Sequence, residues 1–433
     1  LITSVSGIRG VPNSDMTLVQ VADFASSFAR MTGSDAYLVG RDTRSTGEAM
    51  KRAVLAALLA EGARVYDCGF LTTPAIFRES RLSGMPAVMI TASHNEPEWN
   101  GLKFVIGGRG LWEEEFARLK EAKAHNAGGY RQGSVKHRAR HAYATDLVKR
   151  FGAGSCEGVK VALDFGGGAA IQDAQWVLRR MGCDTFTVAD SPGVFSRVID
   201  PVSDPLVMLR SVLRANGCDI GLAFDCDGDR LVIIDNNGKK RSGDYMLTLA
   251  ISRIIPSLGQ KRVVVSVDTT QAVERVVSRL GGEVFRSKVG EANVVSEMER
   301  RDAQIGGEGS SGGLIDGSFN YCRDSMLAAL TIISALKREG TRLYERVEEY
   351  KQYRIALPMK RSKSTGLIRR LARKYPEADL TDGVKVWLSK RCWVLVRPSG
   401  TEDAIRISAE AGTLAEAKKA VSGFYAKLKE MNK

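Results

Sequence analysis

Histidine is scarce in this chain and cysteine is unpaired. Of 433 residues only four are histidine, His94, His125, His137 and His141, so no histidine follows position 141. The cysteines, Cys68, Cys156, Cys183, Cys218, Cys226, Cys322 and Cys392, are odd in number, scattered and without a CxxC pair. That argues against a disulfide framework or structural zinc. No apolar run approaches the eighteen or so residues of a membrane span, and no secretory signal pattern is read over Leu1 to Gly10. These absences point to a cytoplasmic protein that does not enter a membrane.

Acid is also in deficit. Lys and Arg outnumber Asp and Glu by 63 to 50, a net charge of +13. The excess concentrates in Lys123 to Arg150, where Asp146 is the sole acid, and in Lys351 to Lys374, which has none. Neither stretch interleaves aromatics as a base-stacking platform does. A solvated surface that steers an anionic small molecule is therefore favoured over nucleic-acid binding.

The chain is long enough for three or four domains, and its 44% hydrophobic and 26% charged residues are globular proportions. The period of apolar residues predicts a helix over Thr17 to Met31, a strand Tyr37 to Val39, a helix Glu48 to Glu61, a strand Arg64 to Tyr66, a helix Pro74 to Leu82 and a strand Ala87 to Ile90. A helix over Glu113 to Ala124 follows. Two further alternations run from strand Val159 to Phe165 and from helix Tyr245 to Ile255. Such alternation predicts largely parallel sheets. Pro358 to Ser364 reads as a linker to a small α+β domain. The expected class is α/β: three similar mixed domains, 1–145, 146–244 and 245–355, and a smaller C-terminal domain, 356–433, around one cleft.

Four polar stretches interrupt these elements. Thr91-Ala92-Ser93-His94-Asn95 ends an apolar strand, where open sheets bind ligands, which makes Ser93 a nucleophile candidate. His94 is not expected as its base, because neighbours on an extended chain point to opposite sides. Asp225-Cys226-Asp227-Gly228-Asp229-Arg230 also follows an apolar strand, and three carboxylates on one face suit a hard divalent cation such as Mg²⁺. An EF-hand fails on spacing, and Cys226 alternates away from the acids. Gly307-Glu308-Gly309-Ser310-Ser311-Gly312-Gly313 formally matches a hydrolase elbow at Ser311, but the triad would need a downstream histidine. A loop that grips a polyhydroxylated ligand fits better. Arg397-Pro398-Ser399-Gly400-Thr401-Glu402 offers a guanidinium, hydroxyls and turn amides to a phosphate. The triplet Gly166-Gly167-Gly168 lacks dinucleotide-loop spacing.

Together these stretches resemble the α-D-phosphohexomutase family, whose motifs are matched in order by Thr91 to Asn95, Asn100-Gly101 with Lys103, Asp225 to Arg230, Gly307 to Ser310 and Arg397 to Glu402. Gly7-Ile8-Arg9-Gly10 and Lys288-Val289-Gly290 resemble two further family turns. The resemblance implies an isomerase interconverting hexose 1-phosphate and 6-phosphate. Ser93 would be phosphorylated, and Mg²⁺ would be held by phospho-Ser93, Asp225, Asp227 and Asp229. Lys103 would be a proton acceptor of depressed pKa, and Arg9 and Arg230 would stabilise the transferring group. Glu308 and Ser310 would hold the sugar, and Arg397, Ser399, Gly400 and Thr401 its phosphate. A hexose 1,6-bisphosphate would be intermediate and activator. Glu96-Pro97 departs from the family pattern, as does the Ser-Ser-Gly-Gly ending of the sugar loop, which leaves Ser310 and Ser311 as alternative sugar contacts. Glucosamine, mannose and glucose phosphates stay open as substrates, as do a monomer and a homodimer. A sugar-phosphate phosphatase and a non-catalytic phosphosugar or nucleic-acid binder are the competing classes.

Overall fold

The computed structural model describes residues 1–122, 132–138, 142–399 and 403–431. The first expected helix forms over Leu18–Thr32, where Thr17 and Gln20 make a reciprocal capping box and Gly33 ends it at φ +60°. Its apolar stripe, Val21, Ala25 and Phe28, is buried against the first sheet. The expected helix Glu113 to Ala124 forms over Glu113–Glu121, and its last two positions lie outside the described residues.

Three sheets share one design. In the first, Ala36–Arg41 pairs in parallel with Arg64–Phe70 and Ala87–Ile90, and Asn100–Ile106 closes the group in the antiparallel sense. Lys160–Asp164, Asp184–Val188, Ile220–Phe224 and Leu231–Asp235 repeat that order and those directions. So do Arg262–Ser266, Glu283–Ser287, Ile305–Glu308 and Gly313–Asp316. In each, the strands lie in the order second, first, third, fourth. The repetition is invisible as a sequence period, because parallel strands buried on both faces conserve only an apolar character. It has a functional result. Ser93, Asp225 and the loop after Glu308 all occupy the hairpin between the third strand and its antiparallel fourth.

One helix that the sequence pattern did not mark, Ser325–Glu339, lies at the centre. It is apolar nearly all round, so no amphipathic stripe betrays it, and eleven of its residues are buried. Leu327, Leu330 and Ile333 join residues of the first three blocks in one continuous core.

The expected linker at Pro358 to Ser364 is not a linker. Lys351–Pro358 is a strand paired along its whole length with Ala404–Ala411, and a helix, Arg361–Lys374, starts three residues later. In the strand, Lys351 and Arg354 mark an edge, where charge prevents further pairing, and that masked the alternation of Tyr353, Ile355 and Leu357. The last sheet is antiparallel, with Cys392–Pro398 between Ala404–Ala411 and Val384–Ser389. Val394 and Val396 face its two helices, while Trp393 and Leu395 face Val267 and Val289 of the third block. Among the described residues no helix is long and apolar enough to cross a membrane.

Truncating the central helix tests its role. Leu330 is fully buried, and Leu330→Ala is expected to cost about 2–5 kcal/mol through lost contacts and a residual cavity. Chemical denaturation reads that loss.

Candidate active site

Ser93 stands in a loop held from outside. Its φ of +53° lies in the left-handed region that a side-chain-bearing residue enters only when its surroundings enforce it. Arg44 does much of the enforcing. It is fully buried, paired with Asp42 at 3.1 Å, and donates to the carbonyls of Ser93 and Asn95, both at 2.7 Å. Thr91 Oγ1 donates to Asp42 and accepts from the Ser93 amide. Arg44 lies in a stretch that sequence reasoning treated only as a strand end, although an Arg-Asp-Thr-Arg run after an apolar strand was a signal.

The left-handed turn corrects the expectation for His94. Ser93 is not extended, and the two side chains meet: His94 Nδ1 lies 3.4 Å from Ser93 Oγ. On the other side of the ring Arg230 lies 3.2 Å from Nε2. An arginine only donates, which assigns the proton to Nδ1 and makes Ser93 Oγ its acceptor. Burial, then Arg230 and Arg9, push the imidazole pKa far below its usual range, so the ring is neutral. Ser93 Oγ in turn donates to Asp225 Oδ2 at 2.9 Å.

Asp225, Asp227 and Asp229 are all buried, and one carboxylate oxygen from each lies within 4.8 Å of the others. Asp225 Oδ1 accepts the amides of Asp229 and Arg230, which folds the loop around the carboxylates. Two helix N-termini grip the same loop. Thr73 donates to Asp227 through both amide and hydroxyl, and Ser325 Oγ donates to the Gly228 carbonyl. Helix N-termini favour negative charge. Asp227 Oδ1 and Asp229 Oδ1 have no hydrogen-bond partner although buried. Clustered buried carboxylates with oxygens left unpartnered are what a hard divalent cation requires, so this donor set fits Mg²⁺.

Lys103 corrects another expectation. Its Nζ lies 2.6 Å from Asp227 and 3.0 Å from Asp229. Burial pulls its pKa down, but the carboxylates of Asp227 and Asp229 outweigh burial and raise it, against the depressed value expected. Arg9 donates to Asn95 at 3.0 Å, and Arg230 pairs with Asp200 at 3.4 Å. Sequence reasoning missed Arg323, which lies outside every motif. It reaches Asp229 at 2.8 Å, Glu291 at 3.2 Å and Glu308 at 3.3 Å, and so joins the aspartate cluster to Glu308.

Glu308 is buried and also accepts the Gly290 amide at 2.7 Å. Burial raises its pKa, against the pull of Arg323. The two loop serines separate. Ser311 is buried and donates to the Glu308 carbonyl, whereas Ser310 lines a cavity of about 460 Å³ with Asp244, Gln352 and Arg354. Arg397 lies 3.6 Å from Asp382, and Ser399 Oγ accepts from Arg406. Gly400 and Thr401 fall outside the described residues. Direct contacts thus unite Ser93, the aspartates, Lys103, Arg230 and Arg323 with Glu308, while Arg397 and Ser399 come from the last sheet.

Comparison with known proteins identifies the family of the chain. Family models for domains I, II, III and IV of phosphoglucomutase/phosphomannomutase match residues 2–126, 141–238, 242–353 and 355–426. The chain is 32% identical over 422 residues to a probable phosphoglucosamine mutase of Methanopyrus kandleri, covering 94% of this chain and 93% of that one. It is 31% identical over 434 residues to a phosphoglucomutase/phosphomannomutase of Thermococcus kodakarensis, with the same coverage. In fold it resembles a phosphoglucomutase/phosphomannomutase family protein from Burkholderia thailandensis, with TM-score 0.85 and 24% identity over 100% of this chain and 98% of that one. The structure thus carries the fold of the phosphosugar mutases, a class of isomerase. The chain belongs to the phosphoglucomutase/phosphomannomutase family.

The aspartate cluster can be tested without turnover. Mn²⁺ or Mg²⁺ added to chelator-treated protein is expected to raise Tm and to saturate at one ion per chain. Asp227→Asn or Asp229→Asn is expected to weaken that binding tenfold or more.

Proposed function

We propose that this chain interconverts the 1-phosphate and 6-phosphate of a hexose through phospho-Ser93 and a hexose 1,6-bisphosphate. Glucosamine phosphate is the first reading of the substrate, supported by the name of the Methanopyrus kandleri relative. Mannose or glucose phosphate is the second, supported by the Thermococcus kodakarensis relative. The observation that carries the chemistry is the buried Ser93 hydroxyl, 2.9 Å from Asp225, whose carboxylate clusters with those of Asp227 and Asp229. A divalent cation held there by Asp225, Asp227 and Asp229 would supply charge neutralisation for a phosphoryl group on Ser93.

The substrate phosphate rests on Arg397, Ser399, Gly400 and Thr401, and Glu308 and Ser310 take ring hydroxyls. The free sugar hydroxyl meets phospho-Ser93. The bond from Ser93 Oγ to phosphorus breaks as the bond from the sugar oxygen forms, and Arg9, Arg230 and Lys103 face the charge spread over the transferring oxygens. The transition state of such transfers is loose and needs little base. Lys103 relays the sugar proton, and Ser93 Oγ takes up a proton as it leaves, so that one hydroxyl is consumed and one is formed. The bisphosphate then turns end over end and returns its other phosphate to Ser93. As an activator, the same bisphosphate restores a phosphoserine lost to water. The setting proposed for this chemistry is cytoplasmic.

A coupled assay tests the reading with Mg²⁺, catalytic bisphosphate and glucosamine, mannose or glucose 1-phosphate. Ser93→Ala is expected to lower kcat at least about a thousandfold, and intact-mass measurement to find one phosphoryl group on the active protein and none on the variant. Steady release of inorganic phosphate without isomerisation would overturn the mutase in favour of a phosphatase.

A further inference from the structure

The two loops proposed to hold opposite ends of the substrate lie in different blocks, Glu308 in the third and Arg397 in the last. Among the described residues no hydrogen bond or ion pair joins Glu308 to Arg397. Asp382 stands between them. Its Oδ2 lies 3.6 Å from Arg397 Nη1 and accepts the amide of Val289 at 3.2 Å. The next residue, Gly290, at φ +121°, donates its amide to Glu308 Oε1 at 2.7 Å. A chain of polar contacts therefore runs from the sugar carboxylate through Gly290 and Val289 to Asp382, and on to the phosphate guanidinium.

The surroundings hold this chain in place. Gly383 has φ +91°, and a Cβ there would strike the Val396 carbonyl and lie 2.8 Å from Arg397 Cα, so the turn bearing Asp382 presses directly on the backbone of Arg397. Val289 packs against the interblock cluster of Val267, Trp393 and Leu395. Asp382 and Arg397 are mostly shielded from solvent, at 19% and 16% exposure, so the pair is screened less than a surface ion pair.

We propose that Asp382 is a positioning residue that couples recognition of the two ends of the phosphosugar. It orients the Arg397 guanidinium while it fixes the turn that orients Glu308. A guanidinium has five donors in a rigid fork, so one edge can stay on Asp382 while another takes a phosphate. The inference rests on the reading of Arg397 and Glu308 given above.

The test measures binding in the Ser93→Ala protein, titrated calorimetrically with the hexose 1-phosphates. Adding Asp382→Ala is expected to weaken binding at least tenfold. Asp382→Asn keeps an acceptor for the Val289 amide but loses the charge on Arg397, and is expected to fall between. In an Arg397→Ala background Asp382→Asn should add nothing, since asparagine keeps the Val289 contact and loses only the link to that guanidinium. With turnover restored at Ser93, the effect should fall on KM far more than on kcat. Binding equal to the parent in Asp382→Asn and Asp382→Ala would overturn the proposal. An undiminished loss from Asp382→Asn without Arg397 would do the same. If Asp382→Ala fails to fold, Asp382→Asn alone decides. Absence of all hexose-phosphate binding in the Ser93→Ala parent would instead remove the mutase reading, and this inference with it.

Discussion

Three buried carboxylates on one loop are the constraint to which the rest of this molecule answers. Anions this close repel strongly in a low-dielectric interior, and each must find compensation or protonate. The compensation comes from every side. Lys103 arrives from the first block and Arg323 from the third, while amides of the loop itself bond Asp225. Two helices aim their N-termini at the loop, one through Thr73 and one through Ser325. Even so, Asp227 and Asp229 each keep an unpartnered oxygen. The cluster is thus satisfied enough to fold and left open enough to take a cation.

That arrangement depends on a topology used three times. A hairpin between a parallel strand and its antiparallel neighbour is a protected place for a polar loop, because the first strand's own exit loop lies beside it. In the first block the exit loop supplies Asp42 and Arg44, which clamp the serine loop. In the third block it supplies Thr269, whose hydroxyl accepts the Gly309 amide. The same strand order that places the reactive group also places its support.

Much of this was legible in the chain. The four motif loops stand at the ends of elements that form nearly where the apolar pattern puts them, because local hydrogen bonding and amphipathic period decide those elements. The helix Ser325–Glu339 was not legible, since a helix buried on all sides shows no stripe. The strand Lys351–Pro358 was hidden by the basic residues that suit an edge. The contact between Ser93 and His94 was misread because extended geometry was assumed at a residue whose φ is +53°.

What the sequence determined by itself was the inventory: a hydroxyl, three carboxylates and two further polar loops, each tied to a strand end by short-range pattern. What only the tertiary structure decided was how those groups act on one another. The pKa of Lys103 is raised because Asp227 and Asp229, more than a hundred positions away, close on it. The neutral form of His94 follows from burial beside Arg230 and Arg9, Arg323 joins the site from outside any motif, and Asp382 reaches Arg397 and Val289 together. Protonation and hydrogen-bond direction depend on burial and on charges brought close by folding, and a linear pattern carries neither.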